Sequence, residues 1–160
     1  MKTKNTHRKN ATTSPLPEIA WSHRSRAVDY DQHRVESVVA VALPLCLREA
    51  VRLPGPLTSL TQIEISVVGR RRMAAIHREF LGIFGATDVI TFPYGEILIC
   101  ADVAAERSEE FELSTTDELA LYAIHGLLHL AGLDDLTPRD ARRMNQTQSR
   151  ILKAATAPTR

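Results

Sequence analysis

Short β-branched runs alternate with longer stretches whose apolar residues recur three and four apart, and these two periods divide the chain into elements. Glu18 to His23, around Ile19 and Trp21, predicts a first strand. From Asp31 the spacing of Val35, Val38, Val39 and Ala42 predicts a helix, which Pro44 is expected to kink or end because proline has no amide donor. Leu53-Pro-Gly-Pro is a strong break, and Glu64-Ile-Ser-Val-Val after it predicts a second strand. Arg70 to Phe80 reads as an amphipathic helix with Met73, Ile76 and Phe80 on one face, ended by Gly82 and Gly85. Asp88-Val-Ile-Thr-Phe-Pro and Glu96-Ile-Leu-Ile-Cys are two further strands, joined by Pro93-Tyr94-Gly95 as a hairpin.

Three helices complete the pattern. The first runs from Asp102 to Phe111. Ser114-Thr-Thr-Asp-Glu supplies a capping box, with Thr115 as N-cap and Glu118 reaching back. It opens a helix that carries Leu119, Ile124, Leu127, Leu128 and Leu130 and stops at Gly132, which tolerates left-handed geometry. The last helix starts near Thr137-Pro138 and reaches about Ala154. This order predicts an α+β fold: a single domain with about four strands in one mixed sheet, covered by about five helices.

Composition sharpens the picture at the ends of the chain. A length of 160 residues fits one domain. Residues 1–16 are polar, basic and poor in large apolar groups, and are expected to form a flexible basic tail ahead of a domain over 17–160. The basic start leads into Ala-Thr-Thr-Ser-Pro and not an apolar segment, so no secretory signal is expected. No apolar run approaches the roughly 20 residues of a membrane-spanning helix, so the expectation is a cytoplasmic protein with no membrane partner. The net charge of +1, from 20 Lys and Arg against 19 Asp and Glu, lacks the strong positive field of a dedicated nucleic-acid binder. Any RNA contact must then come from local groups such as Arg70, Arg71 and Arg72, which read equally as a solvated helix start. Cys46 and Cys100 lie in apolar runs without Cys-x-x-Cys spacing and are expected to be buried, reduced thiols.

The chemistry concentrates in His125-Gly-Leu-Leu-His-Leu-Ala-Gly-Leu-Asp-Asp. His125 and His129 are four apart, so their imidazoles project from one helix face a turn apart, near enough to share a cation. Both interrupt an apolar helix, where an unpartnered polar group costs about 1–3 kcal/mol, and one cation satisfies both. Gly132 lets the chain turn back and offers Asp134 or Asp135 as a third ligand, with one coordination position left open. Gly126 stands where the metalloprotease pattern His-Glu-x-x-His carries its general base, which disfavours peptide hydrolysis. An open cation site also lowers the pKa of water toward about 7 and offsets charge on phosphate oxygens, so phosphodiester hydrolysis is available.

The same segment resembles the signature of the YbeY endoribonucleases of bacterial ribosomal RNA maturation, His-Gly-x-x-His-Leu-x-Gly-x-Asp-His. His125, Gly126, His129, Leu130, Gly132 and Asp134 fit it. Thr87-Asp-Val-Ile-Thr-Phe-Pro resembles the family's Thr-Asn-Val-Leu-Ser-Phe-Pro, and Gly95-Glu-Ile resembles its Gly-Asp-Ile. The resemblance runs from about Ile63 to Leu152 and implies a zincin-like metal helix, one Zn2+ per chain, and a single-strand-specific endoribonuclease. Implied roles are 16S ribosomal RNA 3′-end maturation and ribosome quality control, with ribosomal RNA and small-subunit components as partners.

Two departures from the family pattern bear on the site. Asp135 stands where the family has a third metal histidine, so the expected ligands are His125, His129 and Asp135, with Asp134 as a structural acid. A carboxylate lowers the site's charge by one and favours harder cations. The family's Tyr-Arg-Gly becomes Phe80-Leu81-Gly82, which removes an arginine that the resemblance links to RNA cleavage. Arg78, nearly one helical turn earlier, is the candidate replacement, against its alternative as a solvated helix arginine. The candidate catalytic residues are therefore His125 and Arg78. Two other readings stay open: a non-catalytic or weakly catalytic ribosome assembly factor with a structural metal, and a metal-dependent hydrolase of another substrate.

Overall fold

A computed structural model describes residues 15–50 and 55–159. Leu53 and Pro54 of the expected break, and residues 1–14 of the expected basic tail, lie outside the described residues. The elements are β1 (Glu18–His23), α1 (Gln32–Ala50), β2 (Gln62–Val68), α2 (Arg70–Leu81), β3 (Val89–Phe92), β4 (Glu96–Cys100), α3 (Ala101–Glu110), α4 (Thr115–Leu130) and α5 (Pro138–Thr156), with a short 3₁₀ turn at Pro56–Thr58. The α+β architecture is the expected one: four strands form one mixed sheet in the order β1-β2-β4-β3. β1, β2 and β4 run parallel, and β3 closes the far edge antiparallel to β4. Among the described residues no helix is long and apolar enough to cross a membrane.

Strand alternation sends side chains to two unequal cores. Ile63, Ile65 and Val67 of β2, with Ile97 and Ile99 of β4, face the large core shared with α1, α4 and α5. Val68, Leu98, Cys100 and Ile90 point the other way, onto Met73 and Ile76 of α2. Cys46 and Cys100 are buried free thiols, and burial pushes the Cys46 thiol up to about 12, which leaves it protonated and inert.

Two local expectations are corrected. Of the two outcomes expected at Pro44, termination is corrected: α1 continues through it to Ala50. The amide lost at Pro44 would have bonded the carbonyl of Ala40, which lies on the exposed side where water replaces it, while the buried stripe from Val35 to Ala50 holds the helix in place. The N-cap of α4 is Ser114, not Thr115: its hydroxyl accepts from the Asp117 amide at 3.1 Å. Glu118 therefore does not reach back to the cap. It is 4% exposed, and burial raises its carboxyl pKa above the ordinary value.

The depth of α4 on the sheet is set by Gly126. A Cβ built there would lie 2.7 Å from Ile97 Cγ2 and 3.0 Å from Thr91 Oγ1, so only a residue without a side chain lets the helix settle onto β3 and β4. Ile97 is β-branched and cannot swing aside cheaply. Gly126→Ala gains up to about 1 kcal/mol of helix propensity but loses about 1–3 kcal/mol to overpacking. The expected result is net destabilisation, seen as a lower urea midpoint at unchanged slope; an equal or higher midpoint would show that the helix is free to move off the sheet.

Candidate metal centre

α4 ends in a turn that assembles the site. Gly132, at φ +104°, takes the left-handed conformation, and the Leu133 amide donates back to the Leu128 carbonyl while the Gly132 amide donates to the His129 carbonyl. This is a Schellman termination, with Leu133 buried behind it as the accompanying apolar contact. It carries the chain across the end of the helix and returns Asp135 to the face that holds His125 and His129.

The two imidazoles are held in a defined tautomer. His125 Nδ1 lies 2.7 Å from Gln148 Oε1 of α5, and His129 Nδ1 lies 3.0 Å from the Leu133 carbonyl. The carbonyl can only accept, so His129 donates from Nδ1. The Gln148 amide nitrogen faces Asn145 Oδ1 at 3.4 Å, which directs its oxygen to His125. Each ring donates from Nδ1 and is left with a lone pair on Nε2.

Those two Nε2 atoms face one another at 2.9 Å, and the Asp135 carboxylate stands 3.7 Å from one and 3.8 Å from the other. Three acceptors thus converge with no donor between them. Two lone pairs at that separation repel unless a proton or a cation intervenes. Tetrahedral ligand atoms bound at about 2.0–2.1 Å lie about 3.4 Å apart, within the spread seen here, so the donor set fits a metal ion. The end of α4 adds a partial negative charge, which also favours a cation. Burial, and then His125, push the His129 pKa below the ordinary imidazole value, so the ring is neutral and free to ligate at pH 7.

The other expected residues fall elsewhere. Asp134 Oδ1 accepts from the Leu136 amide at 3.3 Å and shapes the turn. Arg78 places its guanidinium over the Phe84 ring, 4.8 Å from the centroid. Leu81, and not Arg78, lines the cleft of about 550 Å³ onto which His129 opens, together with Phe80, Thr91, Phe92 and Pro93. Arg70 pairs with Glu106, and Arg71 and Arg72 border a separate hollow with Arg24 at the start of α2. That hollow is removed from Leu81 by roughly 15 Å along the helix. Gln148 carries no local signal in the sequence, because it meets His125 only through the packing of α5 on α4.

Two substitutions test the centre. Asp135→Ala is expected to lower zinc affinity by at least about 10-fold, measured by competition with a chromogenic chelator, and unchanged affinity would remove Asp135 from the ligand set. Gln148→Leu frees the His125 ring and is expected to cost about 10–100-fold in the same assay. Affinity equal to the parent's would mean that Gln148 does not orient the ring.

Comparison with known proteins places this geometry in a family. The family model described as Endoribonuclease YbeY matches residues 21–156. A protein of that name from Anaeromyxobacter sp. is 39% identical over 103 residues, which cover 58% of this chain and 54% of the relative. Another, from Sulfurimonas denitrificans, is 39% identical over 111 residues, covering 63% of this chain and 78% of the relative. The solution structure of TM1509 from Thermotoga maritima superposes with a TM-score of 0.53 at 21% identity, covering 85% of this chain and 89% of that one, a likeness of fold. With the family's His-Gly-x-x-His segment placed at the end of α4 and the match spanning nearly all described elements, the chain belongs to the YbeY family.

Proposed function

We propose that the protein is a single-strand-specific, zinc-dependent endoribonuclease that acts in the cytoplasm on the 3′ end of 16S ribosomal RNA and in ribosome quality control. Ribosomal RNA and small-subunit components are its proposed partners. The observation that carries this reading is the convergence of three acceptors, His125 Nε2, His129 Nε2 and the Asp135 carboxylate, of which His129 opens onto a cleft. Family membership supports the choice of RNA as substrate.

One zinc ion per chain would be held by those three groups; when bound, it supplies water of lowered pKa and offsets charge on a phosphate. The chain's own residues do the rest. Gln148 and the Leu133 carbonyl hold both rings with Nε2 toward each other and toward Asp135. His125 is catalytic as a ligand at that position. The Asp135 carboxylate, which faces both imidazoles, would also be the acidic group in position to take a proton, a function that Gly126 cannot provide. Arg78 is the proposed phosphate contact at the rim, held against Phe84 and able to swing on its long side chain.

A second reading, an assembly factor with a structural metal and little or no catalysis, is favoured by one observation: Leu81 gives the cleft an apolar wall, and no lysine or arginine lines it. Cleavage of unstructured and duplex RNA by zinc-loaded protein separates the two. The expected outcome is cleavage of the unstructured RNA alone, reduced at least 100-fold in His125→Ala and by chelation; a zinc-loaded protein that leaves RNA intact would establish the assembly factor instead. Arg78→Ala is expected to slow cleavage about 10-fold, and equal rates would remove Arg78 from the site.

A further inference from the structure

We propose that the apolar wall of the cleft is a stacking subsite for an unpaired RNA base next to the phosphodiester held at the metal centre. This deepens the endoribonuclease reading and rests on it. The distribution of aromatic residues is the first observation. The buried core is aliphatic, with Tyr122 its one aromatic member among the described residues, whereas Phe80, Phe84, Phe92 and Tyr94 gather around the end of α2 and the β3–β4 hairpin. Phe80, Phe84 and Tyr94 are 59%, 77% and 67% exposed. Apolar rings left in water at one edge contribute little to folding and mark a binding surface.

Their geometry is that of a platform. The Phe92 and Tyr94 rings lie within 15° of parallel with centroids 5.5 Å apart, and Phe80 meets Phe92 edge-on at 5.3 Å. Arg78 lies flat on Phe84 at the outer end. Phe80, Leu81 and Phe92 line the same cavity that His129 opens onto, so the platform is continuous with the metal centre. That lining holds no acidic side chain and no lysine or arginine, so it has nothing to grip a phosphate but offers flat faces to a base. Stacking of this kind is tolerant of sequence, since every base has a π-face.

The open edge of the sheet adds hydrogen-bonding groups. Asp88 accepts from the Cys100 amide, and Phe92 accepts from the Gly95 amide, so the even-numbered residues of this segment pair inward. By antiparallel alternation the backbone groups of Val89 and Thr91 point away from β4, along the free edge that lines the cleft; the Val89 amide donates to Asp88 Oδ1, which leaves the Val89 carbonyl and the N–H and C=O of Thr91. A base lying on the platform has its edge within reach of them. An extended peptide is the other ligand an edge strand takes, and the experiment distinguishes it.

The test uses zinc-loaded protein and a short unstructured RNA containing one 2-aminopurine, whose fluorescence falls when it stacks. Rapid mixing with wild type is expected to quench the probe before cleavage. Phe80→Ala and Phe80→Leu, at an exposed position, are expected to abolish the quench and raise KM about 10-fold, with kcat lowered less than threefold and zinc affinity unchanged. An abasic site at the same position is expected to cost wild type as much as it costs in KM to lose Phe80, with no further loss in the variant. Cleavage by wild type with no quench, or with KM unchanged in both variants, would overturn the subsite while the endoribonuclease reading stands. Displacement of the RNA by an unstructured apolar peptide that binds equally to wild type and Phe80→Ala would overturn it in favour of peptide capture at the strand edge. A zinc-loaded wild type that neither binds nor cleaves RNA would overturn the endoribonuclease reading, and the subsite with it.

Discussion

The close approach of α4 to the sheet at Gly126 is the constraint on which the rest of the molecule depends. Without a Cβ between the helix and Ile97, α4 lies deep enough for Leu119, Ile124, Leu127 and Leu128 to be fully buried, while the flanking His125 and His129 stay half-buried and His129 opens onto the cleft. A helix held farther from the sheet would carry both imidazoles away from β3 and open the core beneath them. The same residue that makes room for packing also excludes a carboxylate at that position, so the carboxylate that faces both imidazoles comes from beyond the helix end, at Asp135.

Two very different environments meet in one cavity. At the end of α4, lone pairs, a carboxylate and the helix carbonyl end gather negative potential, which suits a cation. Across the cleft, Phe80, Leu81 and Phe92 form a neutral wall. Leu81 occupies the position where family resemblance leads one to expect an arginine, and with it the wall is apolar instead of cationic. Under the proposed function, phosphate recognition falls to the metal centre and the rim, and the wall is left to whatever flat, uncharged group accompanies the phosphate.

Much of this was legible in the chain itself, for reasons that differ from element to element. Helix α2 follows directly from periodicity, because it buries one face and leaves the other to water, whereas β4, buried on both faces, and α4, buried around most of its circumference, show instead as near-continuous apolar runs. His125, His129 and the Asp134-Asp135 pair are close in sequence and lie at one helix end, so spacing brings them together, and the family resemblance singles out Asp135 from its neighbour. Pro44 misled because its local cost is overcome by the buried stripe on either side of it. Ser114 and Thr115 are both good caps, and the difference between them is a shift of one residue that propensity does not resolve. Gln148 and the cleft wall were not legible at all: they belong to elements far apart in the sequence and exist as a site only after α5 has packed on α4 and the end of α2 has met β3.

The Schellman turn at Gly132 has a topological consequence. All three acceptors come from one uninterrupted stretch of chain, so bridging them closes only a very short loop and removes little freedom from the unfolded polypeptide. Unlike zinc domains whose ligands tie distant segments together, this chain would not need an ion at that site to draw the fold together, since the sheet and its aliphatic core supply that cohesion. Metal occupancy and architecture are therefore separable, and the helix end behaves as a self-contained cartridge seated in a scaffold that stands without it.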